Sequence, residues 1–300
     1  MHLGEAEIRS ALEWDALIGA MEAALAAFSG GEGHQPVRNL MTIDEGKRYL
    51  GIMPAVGREV MGLKLVSFYP VNAGTAIPTH MAMVLLFDTK TGEPLAAMDG
   101  RLITEMRTAA VSAAVTKHLA APQARILALL GSGVQAEAHL HALRRVRTFD
   151  EVRVWSRNAE HARVFAHTHG ARAMEAEAAV EGADVVVTAT SAREPILRGS
   201  WLKAGAHVNA VGACLPTWRE LDDVAMGNVL VVDSRDAALK ESGDVILSGA
   251  PIYAEAGEIF SGLKPAPSSQ TTIFKSLGLA IEDIAAARLV FETMQRRANC

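Results

Sequence analysis

From about residue 5 to residue 28, apolar side chains recur at helical spacing: Ile8, Leu12, Ala16, Ala20, Ala24 and Ala27. The Gly30-Gly31-Glu32-Gly33 run ends that pattern. The next stretch, to about residue 100, reads as β-rich. Strands are expected over 37–43, 49–53 and 61–69, and over the apolar run from Met81 to Phe87. Asp88-Thr-Lys-Thr-Gly92 is a hairpin-type turn leading to a strand over 94–99. An Ala-rich helix is expected over 107–119, with Thr108 as its natural N-cap.

After Pro122 the rhythm changes. A short apolar strand over 125–130 and further strands over 151–155, 184–189, 207–211 and 229–233 are separated by helical patterns that include 134–146 and 158–169. Alternating strand and helix implies parallel β-structure and a doubly wound sheet. Two prolines within 262–270 mark a linker, and a last helix over 277–298 is expected to return to the first domain. The fold class is therefore α/β, a Rossmann-type parallel sheet plus an α+β domain.

Composition narrows the classes. Half of the 300 residues are hydrophobic and 21% are charged, as in a globular protein with real cores. No apolar run approaches the roughly 18 residues of a membrane span, and residues 1–7 lack the basic and apolar regions of a signal peptide. The chain is expected to be soluble. Cys214 and Cys300 are the only cysteines, which suits a reducing cytoplasm better than a disulfide framework. A net charge of −5 argues against a nucleic-acid partner, since phosphate binding wants a basic face. Arg144-Arg145-Val146-Arg147 reads as a solvated helix end.

The chemistry begins at Gly131-Ser132-Gly133-Val134-Gln135-Ala136, a G-x-G-x-x-A turn between an expected strand and an expected helix. Gly131 allows a tight turn, and Gly133 lets the backbone approach a pyrophosphate. Ala136 lets helix and strand pack closely, and the helix N-terminus offers free N–H groups to the phosphates. The bland alternative is an ordinary glycine turn. An NAD enzyme usually carries Asp or Glu at the end of the second strand, for the ribose 2′-hydroxyl. This chain has Ser156, Arg157 and Asn158 there. Arg157 can pair with a 2′-phosphate, and Ser156 and Asn158 can donate hydrogen bonds, so NADP(H) is the expected cofactor. Thr188, Ala189, Thr190 and Val211 lie at further strand ends, where ligands of such sheets sit. Thr190 and Val211 are candidate walls around ribose and nicotinamide. In the first domain Arg38, Lys64 and Arg107 stand at element ends, where a converging basic pair would hold a carboxylate. Each alone could equally be a surface ion pair.

Several stretches together resemble the ornithine cyclodeaminase/mu-crystallin family, with the ketimine reductase branch the nearest. They are Gln35-Pro-Val-Arg38, Tyr49-Leu-Gly-Ile-Met-Pro54, Lys64-Leu-Val-Ser-Phe-Tyr69, Met98-Asp-Gly100, Arg107-Thr-Ala-Ala-Val-Ser-Ala113 and Gly131-Ser-Gly-Val-Gln135. To these add Asn209-Ala-Val-Gly212, Trp218-Arg-Glu-Leu-Asp222, Val232-Asp-Ser234, Ala238-Leu-Lys-Glu-Ser-Gly-Asp244 and Thr272-Ile-Phe-Lys-Ser-Leu-Gly278. The resemblance implies a Rossmann domain (116–275) inserted in a substrate-binding and dimerising domain (1–115 with 276–300), whose sheet is buried between two subunits. It places Arg38, Lys64 and Arg107 in the substrate pocket. Thr79 and His80 would lie beside the nicotinamide, Thr108 on a cofactor phosphate, and Phe274, Lys275 and Ser276 over the nicotinamide.

Two departures matter. Ornithine cyclodeaminases carry an acidic base where this chain has Ala213, and a Glu where it has Gly51. A reductase of a preformed C=N bond needs neither. The expectation is an NADPH-dependent reductase of cyclic α-imino acids, cytoplasmic and homodimeric, with no metal. Arg38 and Arg107 would hold the substrate carboxylate. Lys64 would serve as proton donor or as a second anchor, with His80 as the other candidate donor. Three alternatives remain: an NAD-dependent cyclodeaminase, a dehydrogenase acting on open-chain imines, and a binding protein for NADPH and a thyroid-hormone-like acid.

Overall fold

The computed structural model describes residues 1–267 and 269–299; Ser268, in the expected linker, and Cys300 lie outside the described residues. The chain forms two compact units, Met1–Arg107 with Leu279–Cys300, and Thr108–Gly278. No helix among the described residues is long and apolar enough to cross a membrane.

The first unit opens with strand β1 (His2–Leu3) and helices α1 (Glu5–Ala11) and α2 (Trp14–Ser29). The single helix expected over 5–28 is thus two. Its strongest apolar residues explain the break: Ile8, Ala11 and Leu12 are buried, and so are Leu17, Met21 and Leu25. The step from Leu12 to Leu17 is out of helical phase, and extended backbone at Leu12 and Glu13 restores the phase. Then come β2 (Asn39–Asp44), β3 (Arg48–Val56), β4 (Val60–Phe68), β5 (His80–Asp88) and β6 (Pro94–Asp99). β2 to β6 form an antiparallel meander, with β1 parallel to β6 at the edge. Asp88 accepts from the backbone of Lys90 and Thr91 to close the β5–β6 turn.

Helix α3 runs Gly100–Leu119, starting a full seven residues before Arg107. Arg107 and Thr108 therefore lie inside the helix, and Thr108 does not cap it. The reason is visible afterwards: Leu102, Ile103, Met106 and Ala110 are all buried at helical spacing, and Asp99 accepts from the Arg101 N–H at the helix start.

The second unit holds an eight-stranded parallel sheet. Its elements are β7 (Ile126–Leu130), α4 (Val134–Val146), β8 (Glu151–Trp155), α5 (Ala159–His169), β9 (Arg172–Ala173), α6 (Ala176–Val180), β10 (Val185–Thr188) and β11 (His207–Ala210). They continue with α7 (Asp223–Met226), β12 (Val229–Val232), α8 (Arg235–Glu241), α9 (Gly243–Ser248), β13 (Ile252–Glu255), α10 (Ala256–Phe260) and β14 (Thr272–Lys275). The strand order is β13-β12-β14-β11-β10-β7-β8-β9. Strand order reverses at β7, the arrangement that opens a ligand crevice beside the carboxyl ends of β7 and β10. β14, the last strand in sequence, is inserted between β11 and β12.

Helix α11 (Ala280–Ala298) belongs to the first unit, where it packs on α2 and across β3, β4 and β5. It covers the face bearing Tyr49, Met53, Val60, Lys64, Val84 and Leu86, all buried. Gly62 is required on that face, because a Cβ there would meet Leu85 O at 2.2 Å and Ile284 of α11. The opposite face is also apolar: Leu50, Ile52, Leu63, Leu65, Met81, Met83 and Leu85 alternate with the covered positions. Met41, Met81 and Met83 on it are exposed.

Candidate active site

In the first unit, mid-strand Lys64 of β4 points beneath α11 and is 2% exposed. Its Nζ lies 2.7 Å from Asp283 Oδ2. Arg107 grips the same helix turn, with Nε on Asp283 Oδ1 at 2.9 Å and Nη1 on Glu282 Oε2 at 2.7 Å. Glu282 and Asp283 sit in the first turn of α11 and are fully buried, where the positive end of the helix dipole favours carboxylates. Gln35 Oε1 accepts from the Ile281 N–H of that turn.

Burial pushes the Lys64 ammonium down to a pKa of about 8; Asp283 opposes this, while the charges of Arg107 and Arg38 add to it. Arg38, half-buried ahead of β2, thus feels the same cluster. His80 lies on the same face as Lys64, its ring stacked on Phe68 at 4.4 Å. Desolvation first, and the Lys64 charge second, lower its pKa to about 4. The ring retains solvent access, but both causes oppose protonation, so at neutral pH it is uncharged. Thr79 Oγ1 is 3.3 Å from His80 Nδ1.

In the second unit the expected cofactor residues line up along one edge of the sheet. Gly131 N donates to Trp155 O, Val211 N to Thr188 O, and Ser276 N to Ala210 O. Gly131 has φ 131°, and a Cβ on it would meet Ala189 O at 2.5 Å, so only glycine fits at the β7–β10 switch. Gly133 differs. Its backbone is ordinary, and a Cβ there would meet nothing within 4 Å. Open space beside Gly133 and a helix α4 without a side-chain N-cap together fit a pyrophosphate cradle. Val134 is exposed at that entrance, and Gln135 follows it. At the β8 end Arg157 is exposed, and Ser156 partly so. Asn158 is engaged as the N-cap of α5, its Oδ1 accepting from Glu160 N.

A buried carboxylate network holds this edge together. Glu220 accepts from Thr188 Oγ1, Thr190 N, Thr190 Oγ1 and Gly212 N, all at 2.6–2.9 Å. Burial pushes the Glu220 carboxyl up, opposed by Lys275 and the threonines. Lys275 is fully buried, with Nζ 3.0 Å from Asp244 Oδ2 and 2.5 Å from Gly212 O. Burial works against its charge, yet Asp244 and Glu220 outweigh it and hold its pKa above the usual value. The Lys275 side chain is therefore committed to this network, and its backbone lies in the sheet between β11 and β12. Phe274 is likewise fully buried. Asp233 Oδ2 accepts from Leu277 N and Gly278 N, fixing the turn that follows Ser276.

Glu282, Asp283, Glu220 and Asp244 are site residues that no sequence motif singles out. The adjacent Glu282-Asp283 pair inside an apolar stretch is the available signal. At the lyase positions, Ala213 is buried with φ 49°. A Cβ on Gly51 would meet Val66 Cγ1 at 2.8 Å.

The model of the ornithine cyclodeaminase/mu-crystallin family matches residues 1–298. The ketimine reductase mu-crystallin of Mus musculus is 51% identical over 286 residues, covering 92% of this chain and 91% of that protein. The Δ1-pyrroline-2-carboxylate reductase of Thermococcus litoralis, solved with NADH and L-proline, superposes with a TM-score of 0.94 at 34% identity, covering 99% of this chain and 98% of that one. An archaeal alanine dehydrogenase dimer with bound NAD gives a TM-score of 0.93 at 32% identity, covering 99% and 97%. Matched by the family model over nearly its whole length and half identical to a curated relative, the chain belongs to the ornithine cyclodeaminase/mu-crystallin family.

Proposed function

We propose that this protein is an NADPH-dependent reductase of the C=N bond of cyclic α-imino acids. The observation that carries the reading is the buried Lys64–Arg107–Asp283–Glu282 cluster. It holds a titratable ammonium and a guanidinium at fixed positions, suited to an anionic substrate that must gain a proton. Relatives named for ketimine and pyrroline-2-carboxylate reduction support the same class. With its pyrophosphate held at Gly131–Ala136, a bound NADPH would supply the hydride for the imine carbon.

The chain's residues do the rest. Arg107, braced from behind by Glu282 and Asp283, orients the substrate carboxylate with Arg38. Lys64 keeps the imine nitrogen protonated, which makes its carbon the better hydride acceptor. With a pKa of about 8 it is charged at neutral pH yet able to give up its proton. Neutral His80 is the weaker candidate for this step. Buried Ala213 offers no base for deamination, so the cyclodeaminase reading is disfavoured. The test is spectrophotometric. NADPH oxidation with five- and six-membered cyclic imino acids should exceed that with open-chain imines, and ornithine should release no ammonia. Ammonia from ornithine without net NADPH use would overturn the reading.

For the cofactor, Arg157 stands exposed where an NAD enzyme has a carboxylate. Replacing Arg157 by Ala should raise the NADPH Kd roughly 10- to 100-fold, an ion-paired hydrogen bond to the 2′-phosphate being worth about 1.5–3 kcal/mol. The NADH Kd should hardly move. Fluorescence titration reads both, and equal losses would remove the assignment.

The uncovered apolar face of the first unit's sheet fits a second copy of the chain in an isologous pair. Replacing Met83 by Arg should convert the dimer to a monomer in analytical ultracentrifugation. A variant that stays dimeric would place the interface elsewhere. Unpaired Cys214 and a negative net charge suit a cytoplasmic protein that does not bind nucleic acid.

A further inference from the structure

Glu137 lies in the first turn of α4, and His141 follows one turn later on the same face. His169 closes α5. His141 Nε2 and His169 Nε2 approach the same oxygen, Glu137 Oε1, at 3.9 and 3.8 Å. The two imidazoles meet edge-on with centroids 6.0 Å apart, and one ligand atom from each of the three residues lies within 4.8 Å of the others.

We propose that Glu137, His141 and His169 bind a divalent transition-metal ion. Bonds of about 2.0–2.2 Å to nitrogen and oxygen put neighbouring ligand atoms about 3.3 Å apart around a tetrahedral ion. The spacings of 3.8 Å to at most 4.8 Å must contract by roughly 0.5–1.5 Å to reach this geometry, and the exposed Glu137 and His141 side chains are the ones free to move toward His169. Two imidazoles and one carboxylate select Zn2+, Ni2+ or Cu2+ over Mg2+ and Ca2+, which take all-oxygen sets. Three protein ligands leave a position for water or an anion.

The helices already hold the ligands in place. His169 is packed on Phe165, with ring centroids 4.4 Å apart, and its side chain is only 12% exposed. Its carbonyl accepts from Arg144 Nη2, and Gly170 in the left-handed conformation ends the helix behind it. Glu137 and His141 stand on a rigid helix at the i,i+4 spacing that faces two side chains the same way. The site is independent of the proposed reaction. Its effect is to tie α4 to α5.

The test uses the whole protein, cleared of metal by chelation. Isothermal titration with Zn2+ or Ni2+ should show one saturable ion per chain, and each ion should raise Tm because only the folded state presents all three ligands. Mg2+ should do neither. His141→Ala and Glu137→Gln alter exposed side chains only, and each should weaken binding at least ~10-fold. His161→Ala with His167→Ala should leave it unchanged. With Cu2+, electron paramagnetic resonance should show coupling to two nitrogens in the parent protein and to one in His141→Ala. Equal binding by the parent and His141→Ala, or an unchanged nitrogen count, would overturn the proposal.

Discussion

Replacing Lys64 by Met is expected to lower turnover by roughly two to four orders of magnitude, the range of a positioned acid. Methionine keeps the length and the packing beneath α11. It removes the only buried ammonium of the cluster, while Asp283 retains Arg107 as a partner. The cofactor residues of the second unit are untouched, so NADPH affinity should stay within a few-fold by fluorescence titration. The pH dependence gives a second readout. The active form is protonated Lys64, and its pKa is about 8, so kcat/KM should fall as pH rises through about 8. A bound carboxylate opposes the desolvation that lowers this pKa. The alkaline limb of kcat should therefore lie at higher pH than that of kcat/KM. A Lys64→Met variant with near-parent turnover, or one that kept the alkaline limb, would end the assignment of Lys64 as donor.

Replacing Asp283 by Ala should cost about 3–5 kcal/mol, because two buried cations lose a shared counterion. The Tm should drop on the order of 10 °C. The loss is one of charge balance more than of packing, so Asp283→Asn should suffer nearly as much. Combining Asp283→Ala with Lys64→Met removes one of the stranded cations and should recover part of the stability. Chemical denaturation of the three variants measures the coupling. Strict additivity would mean that the Lys64–Asp283 contact contributes nothing.

These two residues differ in how far the sequence alone reveals them. Strands β7, β10 and β12 are legible because a parallel strand buried on both faces is a short apolar run, and β8 because Val152 and Val154 alternate with charged residues. The glycine turn was legible because its neighbours in sequence are its neighbours in space. Lys64 and Arg107 could be named from their surroundings and the resemblance. Asp283 could not, since acids in a helix's first turn ordinarily serve its dipole in water, and only the folded chain brings α11 onto β4. Glu220 is hidden for the same reason: its partners Thr188, Thr190 and Gly212 come from the end of β10 and from the loops that follow β10 and β11. The start of α3 at Gly100 is not legible, because residues 101–106 mix charged and apolar side chains and their helical phase shows only once the buried ones are known.

β14 decides when the second unit can be finished. As residues leave the ribosome, β12 and β13 appear before the strand that joins them to β11. The nascent sheet must wait in two pieces, each with an open edge, until residues 272–275 arrive. A chain stopped at residue 270 should therefore leave unprotected in hydrogen exchange the amides that donate toward β14, such as Val229 N, while His207 N and Val211 N, which donate to the β10 side, stay protected. Most of the chain has then been made, yet the second unit's sheet still lacks the strand that joins its two halves.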